Sequence, residues 1–334
     1  MEKLKAGEFV YLTDYVLRIL SQNRVTTILE FLQEDTGKLS TLTKLSLPQI
    51  LALRNDIFKK YSAPIVNGSA LLFKSMNNKR LLSTGINNLD AILNGGIPTG
   101  YLTELCGLAE SGKTQLCLQL AINTVKNSEN TVLYIDTKGD FSATRIQKIL
   151  DACGCSHKEM AIVMFKIRVI HIWTMDEILE FLKRIKNKTI IIERLSLIII
   201  DSLPCLMFQH LGDDNKIGLT FLNTFVNYSR YLCKEFELVM LCVNIQTRWI
   251  DQATADLEDV NNQSTSVNKE MYMEKRNRCL GRYWQQIPAL VILSEKCHSA
   301  SKEVCVLINV SVIKFNNIKC DKKCVLKISD GGVT

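Results

Sequence analysis

Gly107, Gly112, Lys113 and Thr114 stand in the spacing G-x-x-x-x-G-K-T inside the stretch ELCGLAESGKTQ, residues 104–115. Residues of these types at this spacing can hold a polyphosphate. The glycines let the backbone bend until its N–H groups converge on phosphate oxygens, and the helix that follows adds its positive end. Lys113 would reach the β- and γ-phosphates, and the Thr114 hydroxyl would hold Mg²⁺. Glu110 is at odds with this chemistry. Either its side chain points to solvent, or it weakens the affinity for nucleotide. A second acid belongs to the same site. The apolar run LSLIIID ends in Asp201, which puts a carboxylate at the carboxyl edge of a buried strand, where a Mg²⁺ ion on Thr114 needs one.

Such a loop works only between a strand and a helix, and both are legible. YLTELC (101–106) is a short apolar run that reads as a buried strand, and QLCLQLAINTV (115–125) repeats apolar residues at helical spacing. Further on, TVLYID (131–136), IRVIHIW (167–173), LSLIIID (195–201) and ELVMLCVN (237–244) are apolar and rich in β-branched residues. They suit parallel strands buried on both faces. Helical segments lie between them, one opened by the capping box Thr174-x-x-Glu177. The alternation predicts an α/β fold with a mainly parallel central sheet over residues 81–334. EVCVLINVSVIKF and CVLKIS read as antiparallel strands added at one edge. Ahead of this core, YVLRILSQN, TTILEFLQED and LPQILALRNDIFKKY predict a small helical N-terminal domain over residues 1–61. Residues 62–80, with Pro64, Gly68 and several Asn and Ser, read as a linker.

A chain of 334 residues accommodates one large α/β domain and a smaller one. The net charge of +7 suits a polyanionic partner and equally a solvated basic surface. The longest apolar runs fall short of a membrane span, and the opening MEKLKAGEFVYLTDY has no signal-peptide core. Both point to the cytosol or nucleus, with no membrane partner. The 12 cysteines are scattered, several within apolar strands and helices, where a thiol acts as a small hydrophobe. Cys153, Cys155 and His157, or Cys320 and Cys324, could form part of a metal site but lack the paired spacing of a zinc module. The stretch from Thr247 to Arg278 is poor in apolar residues and ends in the basic NKEMYMEKRNR. It is either a functional loop or a floppy insertion.

With these landmarks in order, the chain resembles the RecA-type DNA recombinase superfamily. LSTGINNLDAILNGGIPTGYLTELCGLAESGKTQLCLQLA (82–121) is similar to the opening of that family's ATPase core, and VLYIDTKGDFSATRI and LIIIDSL follow in the family's order. YSAPIVNG, LYIDTKGDFSATRI and LGRYWQQIP (280–288) look more narrowly like the D-type paralogue branch of the eukaryotic recombinase. The resemblance implies a RecA-like phosphate-loop core and ATP with Mg²⁺ as cofactors. It also implies binding to single-stranded DNA and a nuclear hetero-oligomer with sister recombinase paralogues in homologous-recombination repair. The nucleotide-binding residues carried over are Gly107, Leu108, Ala109, Glu110, Ser111, Gly112, Lys113, Thr114 and Gln115, with Arg145 against the adenine. Thr114 and Asp201 would hold Mg²⁺. Residues 204–217 and 246–280 correspond to two DNA-facing loops, where Arg248, Lys275, Arg276 and Arg278 are the candidate phosphate contacts.

Two positions depart from the family. The glutamate that orients the attacking water is replaced by Lys138, and the polar residue expected after Asn244 is replaced by Ile245. Gln246 comes one residue later and on a strand would face the other way. Lys138, Asp140 and Gln246 are the catalytic candidates, none of them a clear base, with Asp136 a further nearby acid. The favoured expectation is an ATP-binding mediator in a paralogue complex, at most a slow DNA-dependent ATPase. The alternatives are an active strand-exchange ATPase forming its own filaments and a phosphate-loop kinase for a small substrate.

Overall fold

A computed structural model of the chain describes residues 3–62, 67–77, 80–126, 128–210, 216–251, 273–297, 305–316 and 318–334. Part of the expected linker (63–66), part of the first expected DNA-facing loop (211–215) and most of the second (252–272) lie outside the described residues. The chain divides into two compact units, Met1–Asn78 and Lys79–Thr334.

In the first unit, helices Asp14–Gln22, Ile28–Gln33, Thr36–Thr43 and Leu47–Tyr61 close on a core of Leu12, Leu20, Phe31, Leu39, Ile50 and Leu53. Thr36–Thr43 has no clear apolar stripe, so periodicity alone does not reveal it. It starts where the Asp35 carboxylate accepts from the Lys38 N–H at 2.9 Å. The stretch read as a linker contains a further helix, Gly68–Asn77. Its start is capped by the Asn67 side chain, which accepts from the Ser69 N–H at 3.0 Å, and SALLFKSM supplies adequate helix formers.

The second unit is built on one nine-stranded sheet. In chain order its strands are β1 (Leu102–Cys106), β2 (Thr131–Asp136), β3 (Ile167–His171), β4 (Leu195–Asp201), β5 (Val239–Val243), β6 (Leu290–Lys296), β7 (Val306–Phe315), β8 (Ile318–Ser329) and β9 (Gly332–Val333). Across the sheet the order is β3-β2-β4-β5-β1-β6-β7-β8-β9. Pairing is parallel from β3 through β6 and antiparallel beyond it, so the edge strands lie where the sequence predicts. β6 was not expected: ALVIL is a short run that could be buried helix or strand. Helices cover both faces, and the period of two sorts the side chains between two cores. Leu197 and Ile199 of β4 pack on one side with Leu116 and Val125, while Ile198 and Ile200 pack on the other with Leu182 and Phe225. The capping box at Thr174 and Glu177 opens the helix Met175–Lys186.

Candidate nucleotide-binding site

The phosphate loop runs from the end of β1 into the helix Lys113–Lys126. Only glycine fits at position 107, because a Cβ there would lie 2.2 Å from the Ser294 carbonyl oxygen and 2.5 Å from Ser111 Oγ. Ser294 belongs to the unexpected strand β6, and its hydroxyl donates to the Ser111 carbonyl. β6 therefore buttresses the loop from behind. Gly112 has φ +82°, and a Cβ would press on Ile328 Cδ1 at 2.5 Å. Glu110 is 83% exposed, which answers the question its charge raised: it turns to solvent, 3.7 Å from Lys296 Nζ.

Lys113 is buried and lies over the loop, donating to the carbonyls of Gly107 (3.0 Å) and Leu108 (2.5 Å) and to Ser111 Oγ (3.2 Å). Burial, and then the Lys138 ammonium nearby, hold its pKa below the ordinary lysine value. Thr114 and Asp201, 87 residues apart, meet as expected: Thr114 Oγ1 donates to Asp201 Oδ2 at 2.7 Å. The buried Tyr134 hydroxyl donates to the same oxygen at 3.0 Å.

Lys138 reaches the remaining oxygen. Its Nζ lies 3.0 Å from Asp201 Oδ1 and 3.1 Å from Asp140 Oδ2. The contact with Oδ1 is a charge pair with no donor aligned for a hydrogen bond. Burial works against the ammonium, but Asp201 and then Asp140 outweigh it and raise its pKa. The turn that presents Lys138 is fixed by Asp136. The Asp136 carboxylate accepts from the N–H groups of Lys138, Gly139, Asp140 and Phe141. It is thereby committed to shaping the turn. Thr137 fastens the turn to the end of β4 by exchanging hydrogen bonds with Ser202, Oγ1 to O at 2.9 Å and N to Oγ1 at 2.7 Å.

Beside these groups opens a cleft of about 550 Å³, lined by loop residues 109–115 together with Lys138, Asp140, Ser202, Val243, Ile245, Lys296, Val306 and Ile328, with Asp201 behind its wall. Its size suits a small ligand. The loop and the buried Lys113 fit a polyphosphate. The metal donors fit less well, because a Mg²⁺ ion needs near-octahedral oxygens at about 2.1 Å. Asp201 Oδ2 already takes two hydroxyl donors, and the place beside Oδ1 is held by the Lys138 ammonium.

Arg145 is not among the residues lining the cleft. Its guanidinium donates to Gln115 Oε1 (2.7 Å) and to the carbonyls of Asp330 (2.7 Å) and Ser329 (2.5 Å), tying the end of β8 to the helix after the loop. Gln246 starts a hairpin strand, and its N–H donates to the Gly107 carbonyl at 3.1 Å. Ile245 lines the cleft; Gln246 does not. The four basic candidates lie on the antiparallel hairpin Gln246–Asp251 and Met273–Arg278, with Arg248 opposite Arg276, Trp249 opposite Lys275 and Gln246 opposite Arg278. Arg276 is paired with Glu295. Arg278 turns inward to Glu104 at 2.7 Å.

Sequence reasoning missed that last contact. Glu104 in β1 is fully buried and accepts from Arg278 and from Asn244 Nδ2, each at 2.7 Å. Burial pushes its pKa up against the pull of Arg278 and Asn244. The signal was present, since a lone charge within YLTELC demands a buried partner. Lys296 was missed with its strand. Among the described residues no cluster of three or more His, Cys, Asp or Glu could hold a metal ion, and the cysteines are free thiols. Burial pushes the Cys106 thiol up to about 12. No described helix is long and apolar enough to cross a membrane.

The Rad51 family model matches residues 77–263, more than half of the chain. The chain belongs to the Rad51 family. Among curated relatives it is 26% identical to the DNA repair protein RAD51 homolog 4 of Bos taurus, over 90% of this chain and 87% of that one. To the Mus musculus homolog 4 it is 27% identical, over 74% and 77%. These matches bear out a RecA-type recombinase of the D-type paralogue branch. The crystal structure of the RadB recombinase shares the fold, with a TM-score of 0.56 at 17% identity over 76% of this chain and 98% of that one. The family is one of recombination and DNA repair by the names its members carry.

Proposed function

We propose that this Rad51-family chain binds ATP in the cleft and retains it with slow turnover. In this reading it is a mediator within a nuclear hetero-oligomer of sister recombinase paralogues, acting on single-stranded DNA in homologous-recombination repair. One observation carries the reading. The cleft has the parts that hold phosphates, while Lys138 and Ile245 face it where a water-orienting carboxylate and a polar side chain were expected. Asp140 is the acid on the same turn that lines the cleft, and its carboxylate is paired with Lys138 at 3.1 Å. A charged lysine cannot take a proton from water, and the loss of a general base costs typically about 10²–10⁴-fold in rate. Loop and lysine thus support holding ATP over consuming it.

The hairpin supports the DNA part of the reading. Arg248 and Arg276 stand opposite each other beside the position of Lys275, on a strand whose first N–H bonds to the phosphate loop. DNA on the hairpin and nucleotide on the loop would therefore act on adjoining backbone.

Binding is tested by thermal unfolding with and without ATP. A ligand stabilises the fold by RT ln(1 + [L]/Kd), about 2.7 kcal/mol at a hundredfold excess over Kd. The expected result is a rise in Tm for the parent that disappears in Lys113→Ala. A parent that shows no rise at saturating ATP overturns the reading.

A further inference from the structure

We propose that Lys138 is the resident cation of the nucleotide site, balancing phosphate charge beside Asp201 so that the cleft takes a nucleoside triphosphate without needing Mg²⁺. The inference rests on the nucleotide reading above and concerns what that same site requires. Its starting point is the carboxylate of Asp201, whose Oδ2 takes two hydroxyl donors while Oδ1 has the Lys138 charge beside it and no hydrogen bond. Thr114 Oγ1 at 2.7 Å and the Tyr134 hydroxyl at 3.0 Å face Oδ2, and the Lys138 ammonium lies 3.0 Å from Oδ1. A metal ion held through this acid would have to displace the ammonium or share its place, at a cost in like-charge repulsion. The residues present favour the ammonium.

The placement of Lys138 is built into the fold. Lysine is a flexible side chain, yet this one is only 27% exposed and leaves a turn held by four N–H donations to Asp136. The exchange between Thr137 and Ser202 fixes that turn to the strand carrying Asp201. Asp136 and Thr137 are positioning residues: they aim the ammonium and do not line the cleft.

The two acids on Lys138 differ in a way that leaves room for a phosphate. Asp201 is buried and fixed, whereas the Asp140 side chain is 59% exposed at the cleft wall. An incoming phosphate oxygen can replace Asp140 on the ammonium while Asp201 keeps it in place. Lys113 then meets the phosphates from the loop side and Lys138 from the side of β4. Exchanging Lys138 for a carboxylate would lower the local charge by the charge of one divalent ion. Such a variant should need that ion back.

The test is titration of the full-length chain with a fluorescent ATP analogue, in excess MgCl₂ and in excess EDTA. The parent Kd should change by less than about threefold between the two, and Lys138→Arg should behave the same way. Lys138→Met and Lys138→Glu should weaken by about tenfold or more in EDTA, with Mg²⁺ restoring much of the loss in Lys138→Glu. Circular dichroism of each variant establishes that it is folded, and Lys138→Arg reports on the site if the other two are not. A parent that loses about tenfold or more in EDTA overturns the inference while leaving nucleotide binding intact. A parent that binds under neither condition sinks the nucleotide reading, and this inference with it.

Discussion

Arg278, at the end of the basic hairpin, reaches back 2.7 Å to Glu104, a fully buried carboxylate three residues before the phosphate loop. Asn244 bridges the same acid, bonding at once to Glu104 and to the Cys279 carbonyl. A buried charge that loses its partner is expensive. Arg278→Ala should destabilise the second unit by about 3–5 kcal/mol, whereas replacing both Glu104 and Arg278 with Met should recover much of that. Urea unfolding of the two variants checks this. A neutral Arg278→Ala would mean that water relieves Glu104.

The same contact separates Arg278 from the other basic candidates in DNA binding. On single strands the salt slope is about −0.7 for each phosphate neutralised. Replacing Lys275 and Arg276 together with Ala should make the slope shallower by about one to two units. Arg278→Lys, which keeps a charge on Glu104, should leave the slope unchanged. Fluorescence anisotropy on an oligonucleotide across a salt series measures both. An unchanged slope in the double variant would reduce the basic stretch to a solvated surface.

Asp136 supplies a test that depends on pH. Burial alone would raise its pKa, but backbone N–H groups from Phe141, Lys138, Gly139 and Asp140 outweigh burial and hold it below the usual aspartate value. The folded state therefore binds this proton less readily than the unfolded chain. Its contribution is full above the unfolded value of about 3.9 and is lost as pH falls through the lower folded value. Asp136→Asn should cost about 1–3 kcal/mol at neutral pH. That gap should close below about pH 4. A gap that stays constant into acid would mean that Asp136 acts by shape and not by charge.

Much of this was legible in advance, for physical reasons. The loop is written in residue types whose spacing, between a strand and a helix, matches a phosphate-binding loop, and runs such as LSLIIID suit strands buried between two covered faces. Thr114 and Asp201 meet because a parallel sheet brings the carboxyl ends of β1 and β4 to one edge. What stayed hidden depends on partners distant in sequence. β6 is a short apolar run without alternation, so neither it nor Lys296 announced itself. The commitments of Arg278 to Glu104 and of Arg145 to Gln115 and the end of β8 exist only once the chain is folded. Lys138 was visible as a reversed charge, but its pairing with Asp201 was not.

The central claim, a site that holds ATP and turns it over slowly, is tested most directly by single-turnover hydrolysis. The purified chain is measured alone, with sister recombinase paralogues added and with single-stranded DNA, as the parent, Lys138→Glu and Asp140→Ala. A slow parent is expected, with Lys138→Glu faster by only part of the roughly 10²–10⁴-fold that a general base supplies, because Ile245 still faces the cleft. Asp140→Ala should leave the slow rate as it is. Fast hydrolysis in the parent that collapses in Asp140→Ala would contradict the claim and make Asp140 the working acid.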